Sequence, residues 1–345
     1  MKHGYNFIGL AFLLALLIGG CGLLGSDDEN GTEENGEEIS LEDLPGTLVF
    51  SALADDGNFQ IFTMKPDGTE LTQLTFREQF EDDRGFSGYE PSWSPDGEQI
   101  VFTTEYKYTT LGLTLWVMNA DGSDPRPLYD PAPDDPGMPA MWGDNPRWSP
   151  DGTKIAFGRC VGCSVSTNLA IFVFDLETEQ LTRLTEEPPM YQSYYPYWSP
   201  DGTQIAFTTN RDYVDADTLR FRQDLYVMEA DGSNQTRITT TGNATRPIWS
   251  PDGNMIAYDW ARGGNNIFLV QYSSGQITHV DTEMEFSGTP MWNNEGNKLL
   301  VRGRKNEHAS PELRLLAINP NDGTHEVLLF LDIKPGGNNY SWFIP

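Results

Sequence analysis

The stretch "YPYWSPDGTQIAF", Tyr195–Phe207, has three near-copies: "EPSWSPDGEQIVF" from Glu90, "NPRWSPDGTKIAF" from Asn145 and "RPIWSPDGNMIAY" from Arg246. The tryptophan of this stretch recurs as Trp93, Trp148, Trp198, Trp249, Trp292 and Trp342, at intervals of 55, 50, 51, 43 and 50 residues. Unequal intervals around a constant motif mean that loops vary while a structural unit repeats.

In Ser-Pro-Asp-Gly, proline sets φ near −65° at the first central position of a turn, aspartate suits the second, and glycine supplies the positive φ from which a strand resumes. A short extended segment carrying the Trp precedes the turn. A run such as "TKIAF" with period-two alternation follows it. A third strand reads "FQIFTMKPDGT" from Phe59, "LTLWVMNADGS" from Leu113 and "DLYVMEADGS" from Asp224, each ending in a second tight turn. The fourth is shorter: "TQLTF", "TRLTE", "TRITT". Four strands joined by hairpins and repeated along the chain form the blade of a β-propeller.

Complete units begin near Tyr89, Asn145, Tyr195, Arg246 and Thr289, the last with "MWNNEG" in place of "WSPDG". The region from Gly46 through "QLTF" supplies only the last three strands of a unit, and "NNYSWFIP" at the C-terminus supplies only a Trp strand. Each end has what the other lacks. The expected fold is therefore all-β: a six-bladed β-propeller of four-stranded blades, closed by pairing the C-terminal strand with the N-terminal three, which removes exposed sheet edges.

The WSPDG repeats, the "IAF" that follows them and the "V-M-x-A-D-G" third strand resemble TolB-type β-propeller repeats over 45–345. The resemblance implies a six-bladed propeller and a binding role. TolB itself carries an N-terminal α/β domain, whereas here an acidic segment precedes the first strand.

Before the repeats, Lys2 is followed by the apolar run "FIGLAFLLALLIGGC", short for a membrane span and laid out like a secretory signal. Its end, Ile18-Gly19-Gly20-Cys21, resembles a bacterial lipobox, which implies a signal peptide over 1–20 and lipidation at Cys21; a buried structural cysteine is the alternative. From Ser26 to Asp43, nine of eighteen residues are Asp or Glu. Residues 21–44 therefore read as a disordered tether, with too little apolar surface to offset its ordering entropy. The formal charge of −29 argues against nucleic acid and anionic membrane surfaces as partners. These features place the protein in the bacterial cell envelope, lipid-anchored, periplasmic or surface-exposed.

One face of the propeller carries only tight turns. The other takes the long, dissimilar loops between second and third strands and between blades, where binding residues concentrate on a rigid scaffold. Candidates for a ligand-binding or partner-binding face are Tyr106, Tyr108, Trp142, Tyr194, Tyr195, Arg211, Trp260 and Arg302, aromatics as anchors and arginines as polar clamps. The residues opening the inner strands should ring the channel mouth: Glu90, Asn145, Tyr195, Arg246, Thr289 and Asn339. With one acid and one base, that ring is unlike a metal cage, and no cofactor is expected; calcium in the funnel is the alternative.

Cys160 and Cys163 form a C-x-x-C, read as a disulfide in an exported loop rather than a redox or zinc pair. The histidines after the leader, His279, His308 and His325, show no metal-ligand spacing, and no G-x-S-x-G elbow is present. The reading is a monomeric envelope scaffold that binds a protein or glycan ligand. A glycan-degrading hydrolase or lyase with its site in the funnel is the alternative.

Overall fold

The computed structural model describes residues 46–66, 68–79, 87–104, 114–129, 144–161, 169–186, 191–213, 222–260, 267–282, 286–293, 295–304, 312–318, 324–332 and 340–343. Among them the strands form six four-stranded sheets, each an antiparallel blade. In five the strands follow chain order. In the other, Tyr340–Phe343 pairs antiparallel with Thr47–Leu53, so that Leu48 faces Trp342 and Phe50 faces Tyr340. The Trp-bearing strands Gly88–Trp93, Asp144–Trp148, Ser193–Trp198, Ala244–Trp249 and Phe286–Trp292 contact one another in chain order, and Tyr340–Phe343 touches both the first and the last of them. These are the inner strands.

Two-residue periodicity becomes blade-to-blade packing. On the second blade Ile100, Phe102, Trp116 and Met118 join Val49, Ile61 and Leu74 of the first blade. The intervening Val101, Leu115 and Val117 join Trp148, Ile155, Phe157 and Phe172 of the third. Both faces of a blade are thus core. Trp93, Trp148, Trp198, Trp249 and Trp292 sit at such junctions, and three of them donate an indole N–H to the preceding blade: Trp93 to Thr47 O at 3.2 Å, Trp148 to Ser92 O at 3.3 Å, Trp198 to Arg147 O at 3.2 Å. Trp249 instead meets the Tyr272 ring edge-on at 4.8 Å.

The Ser-Pro-Asp-Gly turns close in one way, with the serine doing more than its turn position requires. Gly97 has φ 71°, Gly97 N–H donates to Ser94 O at 3.0 Å, and Ser94 N–H donates to Gln99 O at 2.9 Å. Ser94 Oγ donates to Asp96 Oδ1 at 2.5 Å and accepts Gln99 N–H at 2.9 Å. The same bonds recur at Ser149, Ser199 and Ser250. The serine hydroxyls, with the following backbone N–H groups, hold Asp96, Asp151 and Asp201 below the usual carboxylate range. In the divergent sixth unit Asn293 Oδ1 replaces the hydroxyl, accepting Lys298 N–H at 2.9 Å. The first blade keeps the turn at Ala54–Gly57, with Gly57 N–H donating to Ala54 O at 3.0 Å.

A second glycine, in the turn between third and fourth strands, has a different role. A Cβ on Gly122 would lie 2.6 Å from Leu74 O, and one on Gly232 2.8 Å from Leu184 O, both on the preceding blade. A Cβ on Gly152 would meet nothing nearer than 3.9 Å. Gly152→Ala should therefore cost only the left-handed backbone penalty of about 1–2 kcal/mol. Gly122→Ala should exceed it by at least about 1 kcal/mol, because backbone of the neighbouring blade has to move. Urea unfolding of both variants checks this; equal losses would mean that the blades do not dock through this glycine.

Candidate functional site

The inner strands are not regular. In five blades the pairing of inner and second strands slips by one residue, between Tyr89 and Ser92, Asp144 and Arg147, Tyr194 and Tyr197, Thr245 and Ile248, and Gly288 and Met291. Each slip spans the X–Pro step that opens the repeat, so two residues face one, as in a β-bulge. Proline suits it, since its missing N–H is not needed there. A residue before proline is ordinarily extended. Instead Glu90, Asn145, Tyr195 and Arg246 have φ of 54°, 53°, 53° and 49°, the left-handed region. The departure has a physical reason: a bulge whose first residue turns the strand requires that conformation, at about 1–2 kcal/mol for a residue with a Cβ.

The four strained residues come from four consecutive blades and meet in pairs. Glu90 Oε2 accepts the backbone N–H of Asn145 at 2.5 Å. The Arg246 guanidinium lies over the Tyr195 ring, 5.2 Å from its centroid. Arg246 also pairs with Asp259 at 3.2 Å, a carboxylate whose side chain is 3% exposed. Tyr195 in turn packs against Tyr194, ring centroids 5.7 Å apart, and Tyr194 donates its hydroxyl to Gln192. An acid, an amide, a phenol and a guanidinium thus occupy equivalent starts of successive inner strands. Asn145 is buried at 3% exposure, so hydrogen bonding, stacking and ion pairing with a ligand fall to the half-buried Glu90, Tyr195 and Arg246.

The other sequence-predicted residues fall differently. Arg211 lies over the Phe207 and Tyr226 rings at 5.5 and 5.2 Å and donates to Gln235. Trp260 packs on Phe268 at 5.4 Å, and Phe268 on His279 at 5.0 Å. Thr289 and Arg302 lie in the strands Phe286–Trp292 and Lys298–Arg304, and Cys160 ends the strand Lys154–Cys160. Tyr106, Tyr108, Trp142, Cys163, Asn339, the leader over 1–20, Cys21 and the tether over 21–44 lie outside the described residues.

Sequence reasoning missed a polar network on the fourth blade. Asp224, fully buried at the start of the third strand, accepts from Thr239 Oγ1 and Gly242 N–H, both at 2.9 Å, and from the Tyr213 hydroxyl at 2.5 Å. Arg237 pairs with Asp224 and, at 2.9 Å, with Asp212, which accepts the Tyr226 hydroxyl. A buried carboxylate is stable only when paired and bonded in this way. Both ends of the longest connection between a second and a third strand, Asp212-Tyr213 and Asp224, are thereby tied to the fourth strand. An Asp beginning a third strand where the first and third blades carry Gln60 and Ala170 was the only signal in the sequence.

The TolB beta propeller domain family matches residues 146–329, more than half of the chain. The chain belongs to this family. Over 101 residues it is 37% identical to the Tol-Pal system protein TolB of Coxiella burnetii, a match covering 27% of this chain and 20% of that one. It thus spans about a fifth of that relative's length. TolB from Acinetobacter baumannii superposes with a TM-score of 0.63 at 16% identity, over 86% of this chain and 66% of that one. A TolB-type structure from Agrobacterium tumefaciens gives 0.56 at 19%, over 86% and 98%. An oligogalacturonate lyase in complex with manganese gives 0.54 at 19%, over 81% and 73%. At these identities the structural likeness concerns the fold.

The network on the fourth blade of this TolB-family propeller makes stability depend on alkaline pH. Burial, and then the hydrogen bond to Asp224, push Tyr213 up to about 12. Because folding raises this pKa above the ~10 of a free phenol, the stabilisation is complete below pH 10 and is lost as pH climbs towards 12. Tyr213→Phe should cost about 1–2 kcal/mol at pH 8. The gap to wild type should narrow between pH 10 and 12, measured by denaturant unfolding. A gap constant across that range would show that the hydroxyl bond does not stabilise the fold.

Proposed function

We propose that this chain is a lipid-anchored propeller of the bacterial cell envelope that captures a protein partner at its loop face, around Glu90, Asn145, Tyr195 and Arg246. In this reading the blades form one six-bladed ring closed by the pairing of Tyr340–Phe343 with the first strand, Cys21 carries the lipid, and the acidic segment behind it is the tether. The observation that carries the proposal is the set of four non-glycine residues held left-handed at equivalent bulges. The same backbone conformation occurs at Glu70, Asp124, Glu179 and Asn234 in the tight turns between third and fourth strands, so what marks this set is its place at the bulges of consecutive inner strands. Here it presents chemically different side chains, linked across blades, at the ends from which the variable loops depart.

Two further observations support a protein ligand. A relative 37% identical over 101 residues is named as a component of a protein system, Tol-Pal. The formal charge of −29 favours a partner with a basic surface, which such a field draws in and orients.

A photo-crosslinking amino acid placed at Tyr194 in the full chain, expressed in its native envelope, tests this. The expected result is one discrete protein adduct. It should be absent with the probe at Thr236 on an outer strand, and reduced at least about tenfold by Arg246→Ala, as for loss of an interfacial anchor. Equal adducts from both positions, or no protein adduct with retention on an envelope polysaccharide, would overturn the protein-binding reading.

A further inference from the structure

Propeller blades end in an outer strand whose free edge faces solvent, a hazard proteins blunt by keeping such strands short or placing proline or charge on them. Five blades here obey this. Their outer strands are Thr72–Gln73, Arg126–Tyr129 with Pro127, Leu181–Arg183, Thr236–Arg237 and Ile277–Val280. The sixth does not. Its outer strand His325–Asp332, "HEVLLFLD", has eight residues, charged or ionisable only at its ends around the run Val327-Leu328-Leu329-Phe330-Leu331. It pairs along its whole length with Glu312–Ile318 and, among the described residues, ends the sheet.

We infer that this edge is a contact between two copies of the chain, joined by antiparallel pairing of His325–Asp332 with itself about a two-fold axis. Self-pairing requires that residues opposite each other direct their backbone groups the same way, which a regular eight-residue strand cannot satisfy while matching its two ends. The register resolves this. Leu315 pairs with Leu329 and Leu316 with Val327, so Leu328 is a bulge and the strand has seven pairing positions. Counted in those positions, His325 falls opposite Asp332 of the second copy, Glu326 opposite Leu331, Val327 opposite Phe330, and Leu329 opposite itself. A residue able to carry positive charge thus meets a carboxylate at both ends of an apolar centre. This is the self-complementarity of an isologous interface, and the pairing would satisfy the backbone groups of the free edge. It replaces the solitary propeller expected from the sequence.

Cysteine at the axis tests the register, because Cα atoms opposite each other in an antiparallel pair lie about 4.5–5.5 Å apart, within disulfide reach. The full chain carrying Leu329→Cys, oxidised in membranes of the expressing cells and run on a non-reducing gel, should give a species of twice the monomer mass. Thr278→Cys, on the outer strand of the fifth blade, should not. The double variant Glu326→Cys/Leu331→Cys should cross-link as well, which keeps the test valid if Leu329→Cys folds poorly. In detergent, sedimentation of the full chain should show a dimer that Leu329→Lys converts to monomer. Monomer throughout, a dimer indifferent to Leu329→Lys, or ladders of higher mass in place of a dimer would each overturn the inference.

Discussion

Everything in this molecule depends on each blade burying both of its faces against its neighbours. A single four-stranded antiparallel sheet with two apolar faces has no stable existence in water. Stacked radially, the faces become successive cores, each made half by one blade and half by the next, as Ile100 and Val101 show by pointing to different neighbours. The indole N–H groups of Trp93, Trp148 and Trp198 add direction to this burial, since each donates to backbone of the blade before it. The glycines at 122 and 232 let backbone approach backbone at the same junctions.

Such a scaffold can hold residues that an isolated strand would reject. Glu90, Asn145, Tyr195 and Arg246 occupy backbone conformations that cost free energy, and they stay there because the bulge lies between an inner strand packed on both sides and a second strand fixed by its own hairpin. The serine hydroxyl of each Ser-Pro-Asp-Gly turn fixes that hairpin from one end. The fourth-blade network around Asp224 fixes the other end of one blade, anchoring both ends of its longest loop. Rigidity at the turns and strain at the strand starts are therefore parts of one arrangement. The uniform turns hold the blades, and the irregular strand starts display side chains.

Similarity to other propellers says less about ligand than about architecture. TolB structures and an oligogalacturonate lyase superpose over most of this chain at 19% identity or below. The repeat is a solution to packing, and unrelated chemistries share it. Within this chain, the residues at the bulges and the long apolar outer strand of the sixth blade are where the repeat is least uniform.

From the residues alone, the repeat, the hairpin turns, the two-residue alternation and the complementary ends were legible, because turn chemistry and strand periodicity are local properties. The starts of the inner strands were legible as positions, because each precedes a Pro-x-Trp. Their conformation was not, because a residue before proline is locally biased to extended geometry and only the pairing with the second strand imposes the bulge. The Asp224 network was hidden for a related reason: Asp212, Tyr213, Asp224, Arg237 and Thr239 lie up to 27 residues apart, and in so acidic a chain no single aspartate stands out. Local sequence determined what each segment is; only tertiary contact, in which a buried charge must find its partner and a strained residue its support, decided which side chains meet.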